Sequence, residues 1–157
     1  MHRGLIAFTL LCLGAFASDT PSDRATLRGI KSVLVAVDPT GPELDQEGMR
    51  AGDLQSRIED RLRQAEIMID PVSREFLGLR VMAVRDSKGV YAVCFSLGVY
   101  QTVSLDRDKT IHTATQTWET QSVVLAPPKQ IRAAMDNTLD EIVDQFRKAF
   151  ESANPKP

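Results

Sequence analysis

The chain reads as an α+β domain: a two-layer sandwich of a mainly antiparallel, four-stranded sheet with two helices on one face, in the order β-α-β-β-β-α. Three observations predict it. From Val90 to Leu105 the odd positions carry Tyr91, Val93, Phe95, Leu97, Val99, Gln101, Val103 and Leu105, all large and apolar but Gln101, while most even positions are small or polar. A period of two marks a strand with one buried face. Ile131, Met135, Leu139, Ile142, Phe146, Ala149 and Phe150 recur at helical spacing near the C-terminus. Ala51, Leu54, Ile58, Leu62 and Ala65 draw a second helical stripe, lying between strands.

The N-terminal residues stand apart from this pattern. Met1-His-Arg3 is a short basic start, Leu5 to Leu13 is apolar, and Ala15 and Ala17 are small residues where a signal peptidase reads. Residues 1–17 are therefore expected to be a secretory signal peptide, too short to span roughly 30 Å of hydrocarbon. The lipoprotein reading fails because Leu11, not a small residue, precedes Cys12. Cleavage after Ala17 removes Arg3, leaving 18 basic residues against 21 acidic ones, a net charge of −3. That balance argues against a nucleic-acid partner and a polybasic membrane patch. The expected location is periplasmic or extracellular, with no stable membrane insertion once the signal is gone.

Residues 18–26 are polar and unpatterned, as a flexible leader would be. A single domain is expected over 27–154. Its first strand runs from Ile30 to Val37 and ends at Asp38-Pro-Thr-Gly-Pro42, which is turn chemistry. The helix from about Met49 to Glu66 follows, and Ile67 to Ile69 suits a short strand. Leu77 to Arg85 is a strand, and Asp86-Ser-Lys-Gly89 a hairpin turn. The long strand from Val90 would reach about 53 Å if straight, so Gly98 is expected to mark a bulge or bend. Asp106 to Lys109 is a charged turn. Pairing across it sets Ser104 opposite Thr113 and Cys94 opposite Val123. The last strand, Ile111 to Leu125, is rich in threonine, and that face is expected to meet water. The closing helix spans about 38 Å, and Asn154 is expected to end it in the left-handed conformation.

The residues limit the chemistry. Cys94 is the only mature cysteine, so no intramolecular disulfide forms. It reads most simply as a small residue on the minor face of the strand. His112 is the only mature histidine, and the register above keeps it far from Cys94, which leaves no nucleophile–base pair. No metal-binding or phosphate-loop motif occurs, and no cofactor is implied. Asp136, Asp140 and Asp144 share one helical face, as a weak calcium site would, but they lie beside the apolar stripe and read as a solvated face, as do Arg57 and Arg61. Trp118 either anchors a partner from the sheet surface or caps the core. The open sheet face carries Cys94, Tyr100 and Thr102, so Trp118, Tyr100, Thr102 and Cys94 are the candidate binding residues.

Several motifs together resemble small exported bacterial proteins of unknown function. They are Leu27-Arg28-Gly29-Ile30 before the valine strand, Arg61-Leu-Arg-Gln-Ala-Glu-Ile67, Gly89-Val90-Tyr91, Thr117-Trp118 and Asn154-Pro155. The strand and helix order is also similar to small domains of bacterial envelope assembly proteins. The resemblance implies no catalytic residue. The expected function is a non-enzymatic protein-interaction module of the bacterial envelope with an envelope protein as partner. The alternative is a carrier of a small lipophilic ligand, held among Phe95, Leu97, Phe146 and Phe150.

Overall fold

The computed structural model describes residues 19–156; the expected signal peptide lies outside them. The described residues form an α+β fold whose mixed sheet has five strands, in the order β2-β1-β3-β4-β5. In sequence order the elements are α1 (Pro21–Ala25), β1 (Ser32–Val37), α2 (Pro42–Gln46), α3 (Ala51–Gln64), β2 (Met68–Ile69), β3 (Phe76–Arg85), β4 (Tyr91–Leu105), β5 (Asp108–Ala126) and α4 (Ile131–Ala153). The expectation of four strands and two helices is thus corrected. The two-residue β2 adds a parallel edge beside β1, and β1 is itself parallel to β3. Only β3, β4 and β5 form the antiparallel meander.

The periodicity of β4 organises the core. Val93, Phe95, Leu97 and Val99 have no exposed surface, and Leu77, Leu79 and Val81 of β3 lie beside them. The stripes of α3 and α4 cover this face: Leu54, Ile58 and Leu62 from one, Met135, Leu139, Ile142 and Phe146 from the other. Each such side chain removed from water contributes about 1.5–3 kcal/mol.

The stretch expected to be a flexible leader is ordered from Asp19 onward. Thr20 and Asp23 form a reciprocal capping box, and Pro21 pre-sets the first turn of α1. Leu27 is then fully buried. Asn154 secures this segment, and not through the left-handed conformation expected of it, since its φ is −127°. Its side-chain amide donates to the carbonyls of Phe150 and Leu27, both at 3.0 Å, and its Oδ1 accepts from the Gly29 nitrogen at 2.7 Å. One side chain caps α4 and ties the N-terminal segment to it.

The arginines of α3 and the aspartates of α4 are not separate solvated faces. The Arg57 guanidinium bonds Asp136 at 2.6 Å and Asp140 at 2.9 Å, and Arg61 reaches Asp140 at 3.3 Å. Arg132 also pairs with Asp136, at 3.3 Å. Hydrogen bonding to Asp140 raises the Arg57 pKa further above its ordinary value, against the opposing effect of partial burial. The like-charge pair on α3 is relieved by carboxylates from the neighbouring helix.

The bulge does not fall at Gly98. Val99 pairs with Trp118 and Tyr100 with Gln116, so Thr117 of β5 is the extra residue. Gly98 has another role. A Cβ there would sit 2.2 Å from the Gln116 amide nitrogen and 2.7 Å from its Cδ. The glycine clears space for a side chain lying across it from β5.

Candidate functional site: the open face of the sheet

All the helices that cover the sheet leave one face bare. Its residues follow from the alternation of each strand and from the register. Going along β4, the first row is Val84, Ala92 and Leu125, and the second Met82, Cys94 and Val123. The third row is Arg80, Ser96 and Gln121; the fourth is Gly78, Gly98 and Glu119; the last is Phe76, Tyr100 and Gln116.

The face is divided by polarity. Rows one and two form a continuous apolar patch across three strands. Met82, Val84, Val123 and Leu125 are 57%, 68%, 68% and 72% exposed. The register of β4 with β5, after the bulge at Thr117, sets Cys94 opposite Val123, so the half-buried thiol lies in the middle of this patch. Further along, Arg80 pairs with Asp38 at 2.9 Å, and that contact raises its pKa above the ordinary arginine value. The last row is an aromatic step. The rings of Phe76 and Tyr100 stack at 4.6 Å and 3°, and Tyr100 donates to Gln116 at 3.3 Å. Gly78 lies under the Tyr100 ring, where a Cβ would approach Cε2 to 3.1 Å.

Three of the candidate binding residues therefore share this face: half-buried Cys94 and Tyr100, and exposed Thr102. Trp118 does not join them. It is 1% exposed and packs against Phe146, ring centroids 5.4 Å apart. Its partner across the ladder is Val99, one of the inward residues of β4. The indole belongs to the core, and its nitrogen donates to Asp19 at 3.1 Å. Sequence reasoning missed Met82, Val84, Val123 and Leu125. The signal was present in Met82 and Val84, apolar residues on the second face of β3, where a solvated strand carries polar ones.

Beyond Tyr100 the β3 partner ends, and the sheet narrows to a two-stranded ribbon of Gln101–Leu105 with Asp108–Thr115. Every residue from Asp108 to Thr115 is exposed. Threonines Thr113 and Thr115 meet water as expected, but Thr120 is buried and donates from its hydroxyl to Gln145. His112 pairs with Ser104, one residue from the expected register. It stands ten positions along β4 from Cys94, or about 33 Å.

Phe95, Leu97 and Phe146 fill the space between sheet and α4, with no exposed surface. A groove of about 470 Å³ lies elsewhere, between α3 and α4, and is lined by paired charges that include Arg61, Asp144, Arg147 and Glu151. Among the described residues no group of three metal-binding side chains occurs. No described helix is long and apolar enough to cross a membrane.

No family model matches the chain, and no curated protein matches it. A solved structure of a PelC dodecamer from Paraburkholderia phytofirmans aligns over 78% of this chain and 84% of that one, at 13% identity and a TM-score of 0.39. A likeness that slight carries no argument about what this chain does.

Proposed function

We propose that the protein is an exported, non-enzymatic docking module of the bacterial envelope, and that the open sheet face is where an envelope protein binds. The observation that supports this is the apolar patch of Met82, Val84, Val123 and Leu125 around Cys94. Contiguous exposed apolar surface on a folded domain marks an interaction site. The patch is apolar and free of titratable residues apart from the thiol, which suits a protein surface better than a small polar substrate. The packed space beneath α4 favours this reading over a lipid carrier.

A photoreactive amino acid placed at Val84 or Val123 of the exported chain in living cells tests it. An adduct with an envelope protein is expected from both positions and none from Thr115, on the ribbon. No adduct at either patch position would overturn the reading.

A further inference from the structure

The strand that carries half of the patch is also an edge of the sheet. β5 runs for 19 residues and pairs with β4 alone, whereas the opposite edge is the two-residue β2. Along an antiparallel ladder residues alternate: one bonds its partner through both main-chain groups, and the next points its N–H and C=O away. The hairpin sets the phase. Asp86 donates its N–H to the Val90 carbonyl at 2.9 Å, so even positions of β3 and β4 bond each other and odd positions of β4 bond β5. The parallel side agrees, since the odd carbonyls of Glu75 and Leu79 accept from Leu34 and Asp38.

Tyr91, Val93, Phe95 and Leu97 lie opposite Ala126, Val124, Ser122 and Thr120, and the main chain of these four β5 residues is spent on β4. Gln121, Val123 and Leu125 alternate with them and point N–H and C=O off the edge. Their side chains are the exposed ones, on the open face. Among the described residues no other segment bonds their main chain.

An open edge is ordinarily guarded by charge, proline or a bulge. β5 has such guards on both sides of this stretch: the bulge at Thr117 and the charge of Glu119 before it, Pro127 and Pro128 after it. Thr120-Gln-Ser-Val-Val-Leu-Ala126 itself has neither charge nor proline. A bare apolar face accepts many shapes. A row of outward N–H and C=O groups repeating about every 6.8 Å accepts an extended main chain.

We infer that the envelope partner binds by adding a strand to β5, its main chain bonding Gln121, Val123 and Leu125. Strand addition rests on the docking role proposed for the open face and says how the partner is held there. The added segment is extended, free of proline, and apolar at alternate positions. Those positions lie beside Val123 and Leu125, 68% and 72% exposed, and continue the patch onto a fourth strand.

The test separates edge from face in the exported chain. Gln121 lies outside the two apolar rows. Gln121→Pro removes one outward N–H and leaves the ladder to β4 and the patch in place, since an edge strand tolerates proline whose nitrogen faces solvent. Gln121→Thr changes the same side chain and keeps the N–H. With the photoreactive residue at Val84, on β3, the adduct is expected from the wild type and Gln121→Thr, and is expected to fall about fivefold or more in Gln121→Pro. Where Gln121→Pro does not fold, Val123→Pro against Val123→Thr makes the same comparison. Equal adduct from the proline and threonine variants would overturn strand addition and leave the docking role standing. No adduct from the wild type at Val84 or Val123 overturns both. An adduct of twice the mass of the chain would make the occupant a second copy and overturn the envelope partner. Amide hydrogen exchange on the purified chain checks the edge independently. Gln121, Val123 and Leu125 are expected to exchange about tenfold or more faster than Ser122 and Val124. Equal protection of the two sets would show an edge already paired and would overturn strand addition.

Discussion

Asp19 accepts a hydrogen bond from the indole nitrogen of Trp118 at 3.1 Å, across 99 residues of sequence. The same carboxylate takes two bonds from Arg24, at 2.7 and 2.5 Å. The N-terminal segment is thereby latched to the one tryptophan of the core. Removing the latch in Asp19→Ala leaves a buried indole donor unpaired, which costs about 1–3 kcal/mol. The expected result is a lower urea midpoint. The Trp118 emission should also shift to the red as the segment frays. Unchanged emission and an unchanged midpoint would show that the latch contributes nothing.

The latch also sets a pH dependence. The Arg24 hydrogen bond holds the Asp19 carboxyl below its usual range, with the Trp118 bond adding to it and partial burial opposing it. A folded pKa below the unfolded one means that the ionised group stabilises the fold. That stability is complete above the unfolded value of about 3.9 and is lost as pH falls through the folded value. The gap in urea midpoint between wild type and Asp19→Asn is therefore expected to be constant from pH 6 to 8 and to close below about pH 4. Comparing the two proteins isolates this carboxyl from Glu59, Asp108 and Asp144, whose pKa values are also lowered. A gap that persists undiminished in acid would contradict the assignment.

Gly98 gives a sharper packing test. A Cβ at this buried position meets Gln116 at its amide nitrogen, Cδ and Cγ, the last at 3.0 Å. Gly98→Ala is expected to destabilise by about 1–3 kcal/mol, the ordinary cost of overpacking. Adding Gln116→Ala removes the obstructing atoms and should recover most of the loss in a thermal melt. If the double variant is no better than Gly98→Ala, the backbone and not the Gln116 side chain is what needs the glycine.

What could be read from the residues divides along physical lines. The alternation in β4 and the stripes of α3 and α4 are local patterns imposed by one buried core, and each reappears in the burial of Phe95, Leu62 and Phe146. The pairing of Cys94 with Val123 agrees with the count across the turn at Asp106 only because the extra residue at Thr117 offsets a one-residue difference at Ser104. The bulge did not follow. A glycine signals backbone freedom but does not distinguish a bend from clearance for a neighbour such as Gln116. The helix α1 was legible in principle, because Thr20-Pro-Ser-Asp23 is a capping-box run. The site was half legible. Tyr100, Thr102 and Cys94 fall on the open face by parity, whereas the patch arises from three strands in register, and no single stretch contains it.

The Arg57 network was invisible for a similar reason: its acids come from another helix. The guanidinium is 35% exposed at the side chain, so solvent screens these contacts. Arg57→Ala is expected to cost about 1 kcal/mol, less than a buried network would. In a double-mutant cycle with Asp140→Ala the coupling should be about 0.5–1 kcal/mol at low salt, falling in about 1 M salt. Coupling that is zero at low salt would mean the pairs are ordered but contribute nothing.

Cys94 reports on the chemistry of the open face. It is half-buried between Met82 and Val123 on the open face, and His112, the one imidazole among the described residues, is about 33 Å away. It has neighbours that partly shield it and no base to activate it. A maleimide is therefore expected to modify it in the folded, dilute chain without denaturant, as mass spectrometry would show. Modification only after unfolding would place the thiol deeper than the face described above.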